Sequence, residues 1–287
     1  FVQFDRFTMD IVRAGRLVGI PKPEGGMRPI VIGSFLAKLT GSAILRRCGV
    51  NTIPDQFAIN HPNGAKIIGH KAREYYINKG KAIIRIDIKN AYNATVRKRI
   101  VEQMGDEKMD KDLICCFNTM YQPASKLVII GRNQQHEIIE SDEGIRQGDG
   151  PSSYFFCLAM RKARDIIVKK YPDISKVHNM AYMDDTTIAV EPEIAAEVTL
   201  CAIEALEKCG FEVNREKSAI ICQQKAKLQT IEDIIRQQHH HQQEVEENNS
   251  NNNNEDAANN NNYDNDTDSS SSSSTFPIPV ADPNQLF

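Results

Sequence analysis

The sequence is short of the features that mark secreted, membrane-spanning and disulfide-stapled proteins. Its seven cysteines, Cys48, Cys115, Cys116, Cys157, Cys201, Cys209 and Cys222, are odd in number and form no Cys-x-x-Cys pair. That pattern fits reduced core thiols in an intracellular protein, with nucleus or cytoplasm left open. No apolar run is long enough to cross a bilayer and no stretch reads as a signal peptide, so no membrane partner is expected. The first residue is Phe1 rather than Met, so the chain reads as a piece of a longer protein. No internal repeat is visible.

Apolar and basic residues also run out toward the C-terminus. From about residue 238 the sequence turns to Gln/His, then Asn/Asp/Glu, then the run Ser269 to Ser274. Such a stretch buries too little apolar surface to offset the entropy of ordering, so residues 236–287 are expected to be a disordered, acidic tail. Residues 231–287 hold one of the chain's 35 Lys/Arg and eleven of its 38 Asp/Glu. That leaves 34 and 27 upstream, a net charge of +7 that the whole-chain value of −3 conceals. A basic body suits a polyanionic partner, although an ordinary basic domain has the same balance. Roughly 230 residues remain for folding, enough for one large domain or two small lobes.

Those residues carry clear element signals. Mixed helical spacing covers 1–18, with Phe4, Phe7, Ile11 and Val12 on one apolar face. Two apolar stretches around Pro21-Lys22-Pro23-Glu24-Gly25-Gly26 read as a hairpin. Helices are expected over 35–50, 65–79, 95–104, 110–121, 151–170 and 192–209, and strands over 81–87, 126–130 and 136–139. Residues 210–222 read as strand, turn and strand, with Lys217 just after the turn.

Several positions invite chemistry. Asp184 and Asp185 lie side by side between Ala181-Tyr182-Met183 and Ile188-Ala189-Val190, at the bend of a short hairpin. Adjacent carboxylates are costly to bury without a cation, and oxygen-seeking Mg²⁺ is the usual neutraliser; a solvated acidic tip fits the same pair. Asp87 ends a nearly continuous apolar strand, the placement of a ligand on a rigid element. Tyr92, five residues on, either borders the same pocket or packs in the core. Lys22 and Arg28 flank their turn so that both can point into one space, as a phosphate clamp or as solvated charges. The glycines of Arg146-Gln147-Gly148-Asp149-Gly150 allow close backbone approach to a ligand. Arg161, Lys162, Arg164, Lys169 and Lys170 form a helix face for a nucleic-acid backbone or for water.

Taken in order, Lys22…Arg28-Pro29-Ile30, Asp87…Ala91-Tyr92, Arg146-Gln147-Gly148-Asp149, Tyr182-Met183-Asp184-Asp185 and Gly210…Asn214…Lys217 resemble the reverse transcriptase family, most closely its non-LTR retrotransposon branch. The Tyr-x-Asp-Asp box is the most specific piece, and the resemblance spans about residues 17–222. It implies an α+β right-hand polymerase fold, with an antiparallel palm sheet packed on helices. Fingers-like residues would fill 1–80, and palm with some fingers elements 81–235. It further implies an RNA-directed DNA polymerase that extends a DNA or RNA primer on an RNA template with dNTPs, using two Mg²⁺ ions, with Mn²⁺ as a possible substitute. Two such ions about 3.5–4 Å apart serve an in-line displacement. By resemblance, Asp87, Asp184 and Asp185 are the catalytic carboxylates. They are also the metal ligands, together with the Ile88 carbonyl. Lys22 and Arg28 would hold the triphosphate, Tyr92 would be the steric gate against a 2′-hydroxyl, and Gln147 and Gly148 would lie by the nucleotide and template. Lys217 would approach the pyrophosphate. Tyr92 also argues against an RNA-templated RNA polymerase, which usually has a second Asp there and Gly-Asp-Asp at the turn.

Two departures qualify the expectation. The family often reads Gln-Gly-Asp-Pro-Leu-Ser-Pro; here Gly150 displaces the proline by one position. After Cys222 only about fifteen residues look able to fold, so a helical thumb is expected to be missing, and no endonuclease, integrase, RNase H or zinc-knuckle sequence is found. A catalytically inactive retroelement relic that at most binds nucleic acid is the alternative. The oligomeric state stays open.

Overall fold

The computed structural model describes residues 6–23, 25–49, 53–131, 135–173, 177–224, 227, 229–231 and 233–237. The expected disordered tail lies outside these residues except at Arg236 and Gln237, which are helical; Phe4 lies outside them too.

Helix α1 (Arg6–Arg13) leads into a hairpin of β1 (Gly15–Pro21) and β2 (Met27–Gly33). The helix expected to reach residue 18 therefore ends five residues early. Leu17, Val18 and Ile20 pair with Val31, Ile30 and Arg28 across the hairpin instead. Two members of the expected apolar face of α1 are also exposed, Phe7 at 74% and Ile11 at 59%, while Val12 is half-buried. Helix α2 (Phe35–Arg47) and helix α3 (Gly64–Lys79) follow, α3 closed by Gly80 at φ 62°. A left-handed C-terminal residue is where glycine is favoured.

Strand β3 (Ala82–Ile88) then enters the second sheet. Helices α4 (Arg97–Asp106) and α5 (Lys111–Tyr121) precede β4 (Ser125–Ile130) and β5 (His136–Ser141). Asp110 caps α5 by accepting from the Asp112 N–H. Helix α6 (Ser152–Lys170), β6 (Val177–Tyr182), β7 (Asp185–Val190), a single 3₁₀ turn, α7 (Ala195–Lys208) and β8 (Val213–Ile221) complete the named elements.

The strands form two sheets. One has the order β2-β1-β4-β5, so the chain leaves this sheet for β3 and returns to it with β4 and β5, and the two sheets alternate along the sequence. The other has the order β6-β7-β3-β8, antiparallel throughout. Its two faces follow the period of two in the strands. Ile84, Ile86, Ile88, Ile188, Val190 and Ile220 face the large core built with α4 to α7. Ile83, Ala189, Met180 and Ile221 face Ile68, Ala72 and Tyr76 of α3. Asp87 continues the row of Ile83 and Arg85, so it emerges on the α3 side of the sheet, where the helix no longer covers it.

The strand–turn–strand expected over 210–222 is instead one strand with a bulge. Arg85 pairs with Ala219 and Asp87 with Asn214, so two steps along β3 oppose five along β8. The polar run Asn214-Arg215-Glu216-Lys217 makes the bulge, and both flanks stay paired with β3 because Val213 and Ile220 are buried in the same core.

Candidate active site

The site is built on the ends of β3, β6 and β7. Tyr182 pairs with Asp185, so Met183 and Asp184, rather than the expected Asp184 and Asp185, are the two central residues of the hairpin turn. Met183 has φ 55°, the left-handed region that non-glycine residues seldom occupy. Ile86 pairs with Thr186, and one further step sets Asp87 beside Asp185. Asp87, Asp184 and Asp185 thus line one open cleft of about 530 Å³, together with Lys22, Arg28, Ile88, Tyr92, Gln147, Asn214 and Lys217. Nine of the ten site residues that the resemblance implies meet there, although Lys22 and Lys217 are 195 positions apart. Gly148 is the exception. It packs under β2: at φ 113°, an added Cβ would stand 2.5 Å from the Val31 carbonyl oxygen.

The carboxylates perturb one another. Burial pushes the Asp184 carboxyl above its usual range; Asp185 and Asp87 add to the rise, while its own backbone N–H and Arg28 oppose it. Asp87 is raised as well, chiefly by burial and also by Asp185, against a hydrogen bond from Asn214 and the charge of Lys217. The donors facing the cleft are oxygens, which suit a hard cation such as Mg²⁺. Among the described residues no three His, Cys, Asp or Glu side chains form a ready-made cage. Mg²⁺ is commonly held by one or two carboxylates completed by substrate phosphates, and these residues fit that kind of site.

The other side chains are held from behind. The Tyr92 ring stacks on Phe156, with centroids 4.5 Å apart at 10°. Its hydroxyl lies 3.2 Å from Ser153 Oγ. Tyr92 therefore packs against the core and borders the cleft at once, so both local readings of it are true. The Lys22 N–H donates to the Gly26 carbonyl (3.1 Å), closing the turn that carries Lys22 and Arg28 to the cleft. The Gln147 carbonyl accepts from the Val31 N–H (2.7 Å), tying its loop to the hairpin. Arg146 and Asp149 are buried, with Nε and Oδ2 2.8 Å apart and the N–H not aimed for a hydrogen bond. They fix the loop rather than face the cleft; Tyr121 Oη donates to the same Asp149 oxygen at 3.1 Å.

The basic face of α6 points elsewhere. Arg161 pairs with Glu107, Lys162 with Asp106, Arg164 with Asp55, and Lys170 with Glu197. Three polar residues that sequence reasoning passed over support the site. Ser153 meets Tyr92; Ser218 Oγ accepts from the Asp87 N–H at 3.1 Å. Gln56 holds both backbone groups of Met183. Ser153 and Ser218 lie inside stretches already singled out, but nothing in the sequence around Gln56 signals a role.

An antiparallel sheet presenting carboxylates at the ends of adjacent strands, with a fingers-like sheet beside it, is the fingers and palm of a right-hand polymerase. The chain belongs to the family described as reverse transcriptase (RNA-dependent DNA polymerase), whose model matches residues 20–252. It is 26% identical over 213 residues to the retrotransposable element SLACS 132 kDa protein of Trypanosoma brucei gambiense, which covers 73% of this chain and 18% of that protein. The chain thus spans less than a fifth of that relative. Among solved structures, the fold is similar to telomerase from Candida tropicalis in complex with a fragment of telomeric RNA. The TM-score is 0.56 at 14% identity, over 74% of this chain and 41% of that one. Telomerase from Candida albicans gives a TM-score of 0.52 at 12% identity, over 77% and 45%.

Proposed function

We propose that this chain is the RNA-directed DNA polymerase domain of a retroelement, adding deoxynucleotides to a primer 3′-hydroxyl opposite an RNA template. The observation that carries the reading is the convergence of Asp87, Asp184 and Asp185 with Lys22 and Arg28 in one cleft beside Tyr92. Asp87, Asp184, Asp185 and the Ile88 carbonyl would hold two Mg²⁺ ions, or Mn²⁺ in their place. When bound, such ions activate the 3′-hydroxyl and neutralise the leaving pyrophosphate. Lys22 and Arg28 bind the triphosphate from the hairpin side, and Lys217 reaches the same cleft from the β8 bulge. Tyr92, fixed by Phe156 and Ser153, fills the space a 2′-hydroxyl would need. Gln147, tied to β2, borders the nucleotide.

Primer extension with purified chain, an RNA template, a DNA primer, dNTPs and Mg²⁺ tests this. Incorporation by the wild type that Asp184→Ala abolishes is the expected result. Equal background from both proteins, with salt-sensitive RNA binding retained, would mark a catalytically inactive relic.

A further inference from the structure

Asp184 has no fixed position unless its turn has one, and the turn is unfavourable by itself. Met183 sits at φ 55° immediately before it. A left-handed non-glycine residue persists where surrounding contacts over-determine it. The contacts here come from a segment far away in sequence. Residues 55–57 run beside β6 as a short added edge. The Ala181 N–H donates to the Asp55 carbonyl (2.8 Å), and the Phe57 N–H donates to the Ala181 carbonyl (2.7 Å). Gln56, between them, is 2% exposed. Its Oε1 accepts from the Met183 N–H at 2.9 Å, and its Nε2 donates to the Met183 carbonyl at 3.1 Å. Oε1 also accepts from the Ala58 N–H at 3.2 Å, which sets the amide's orientation.

A primary amide carries its acceptor and its donor on separate, adjacent atoms, so it can accept from and donate to one residue's backbone simultaneously. We infer that Gln56 is a positioning residue for the proposed polymerase reaction: its amide grips both backbone groups of Met183 and so fixes the turn that aims Asp184 into the cleft. The inference rests on the polymerase reading for its consequence in catalysis, but not for its geometry. Gln56 touches no reacting atom. It acts through Met183, whose side chain is itself wedged between Tyr92 and Cys157, with sulfur contacts at 3.7 and 3.8 Å. Loosening the turn would move Asp184 relative to Asp87, which the β3 register holds in place.

The test compares the full chain with Gln56→Met, which keeps side-chain length and removes both hydrogen bonds. Three readouts are used. Amide hydrogen exchange without metal should show Met183 exchanging at least about tenfold faster in the variant, with Ile84 and Ile188 in the core strands unchanged. Mn²⁺ titration should show weaker binding by about five- to tenfold, as expected when the shell that orients a ligand is removed. Steady-state primer extension should show kcat falling about tenfold or more with KM for dNTP little changed, the signature of a lost transition-state interaction. Should Gln56→Met fail to fold, Gln56→Asn, one methylene too short to reach both groups, should give the same pattern. Unchanged Met183 exchange and unchanged Mn²⁺ affinity would overturn the inference. So would faster exchange across the whole of β3 and β7, since that reports a merely structural residue. A wild type that extends no primer would count against the polymerase reading, while exchange and Mn²⁺ binding would still decide the role of Gln56.

Discussion

Asp184 carries an electrostatic cost that is readable without any substrate. Its carboxyl is pushed above its usual range by burial, and then by Asp185 and Asp87. A carboxyl raised in the folded state binds its proton more tightly there than in the unfolded chain. Its contribution therefore favours folding at low pH and is lost as pH rises through the raised value. At neutral pH, without divalent ions, Asp184→Asn should melt about 2–4 °C higher than wild type, and the gain should vanish near pH 4, which calorimetry across pH can follow. Tyr92 makes a second prediction at this scale. Its ring is pinned on Phe156 and its hydroxyl near Ser153, so a smaller residue leaves a hole rather than a rearranged ring. Tyr92→Ala should raise ribonucleotide use relative to deoxynucleotide use by about 10- to 100-fold, measured as the ratio of kcat/KM values. The identities of Asp87, Asp184, Asp185 and Tyr92 were legible in the sequence because each sits at a fixed offset from a local strand or turn signal. Their mutual coupling was not, because it depends on β3 lying beside β7.

Elements carry the site to its place, and the joints between them are narrow. The loop through Gln147 and Gly148 is bonded to β2 by the Val31 N–H, with Gly148 pressed against the Val31 carbonyl. Both the left-handed φ and the 2.5 Å approach exclude a side chain there. Gly148→Ala should lower Tm by about 3–10 °C and detach the hairpin bearing Lys22 and Arg28, read as a raised KM for dNTP beyond what the stability loss predicts. The sequence marked these glycines for close backbone approach to a ligand; at Gly148 the neighbour is instead the chain's own β2. The β8 bulge is a similar case. The polar residues Asn214 to Lys217 read as a turn because they interrupt an apolar pattern, and they do interrupt the pairing. Long-range pairing with β3 on both sides keeps them within one strand. The Asn214 carbonyl accepts from Ser218 Oγ at 2.7 Å, and this closes the bulge locally.

The whole molecule interleaves its two sheets, since β4 and β5, which follow β3 of the other sheet, complete the sheet begun by β1 and β2. The cleft lies where the sheets meet and draws cations from both: Lys22 and Arg28 from one side, Lys217 from the other. If this surface takes an RNA backbone, RNA affinity should fall at least about tenfold between roughly 50 and 200 mM salt, measurable by fluorescence anisotropy. Substitutions at Arg161, Lys162 and Lys170 of α6, which already pair with carboxylates of this chain, should leave that slope unchanged.

The sequence by itself determined most elements, the basic body, and the ordered motifs that bring in nearly every residue of the cleft. Periods of two and 3.6, and the chemistry of turns, are local, and a single chain displays them directly. The tertiary structure alone paired Arg161, Lys162, Arg164 and Lys170 with carboxylates of this chain, kept the polar run of β8 within one strand, and brought Gln56 to Met183. Those outcomes depend on contacts such as Gln56 with Met183, 127 positions apart, and Arg85 with Ala219, 134 apart. Such contacts are set by packing of both faces of the antiparallel sheet, and no local pattern encodes them.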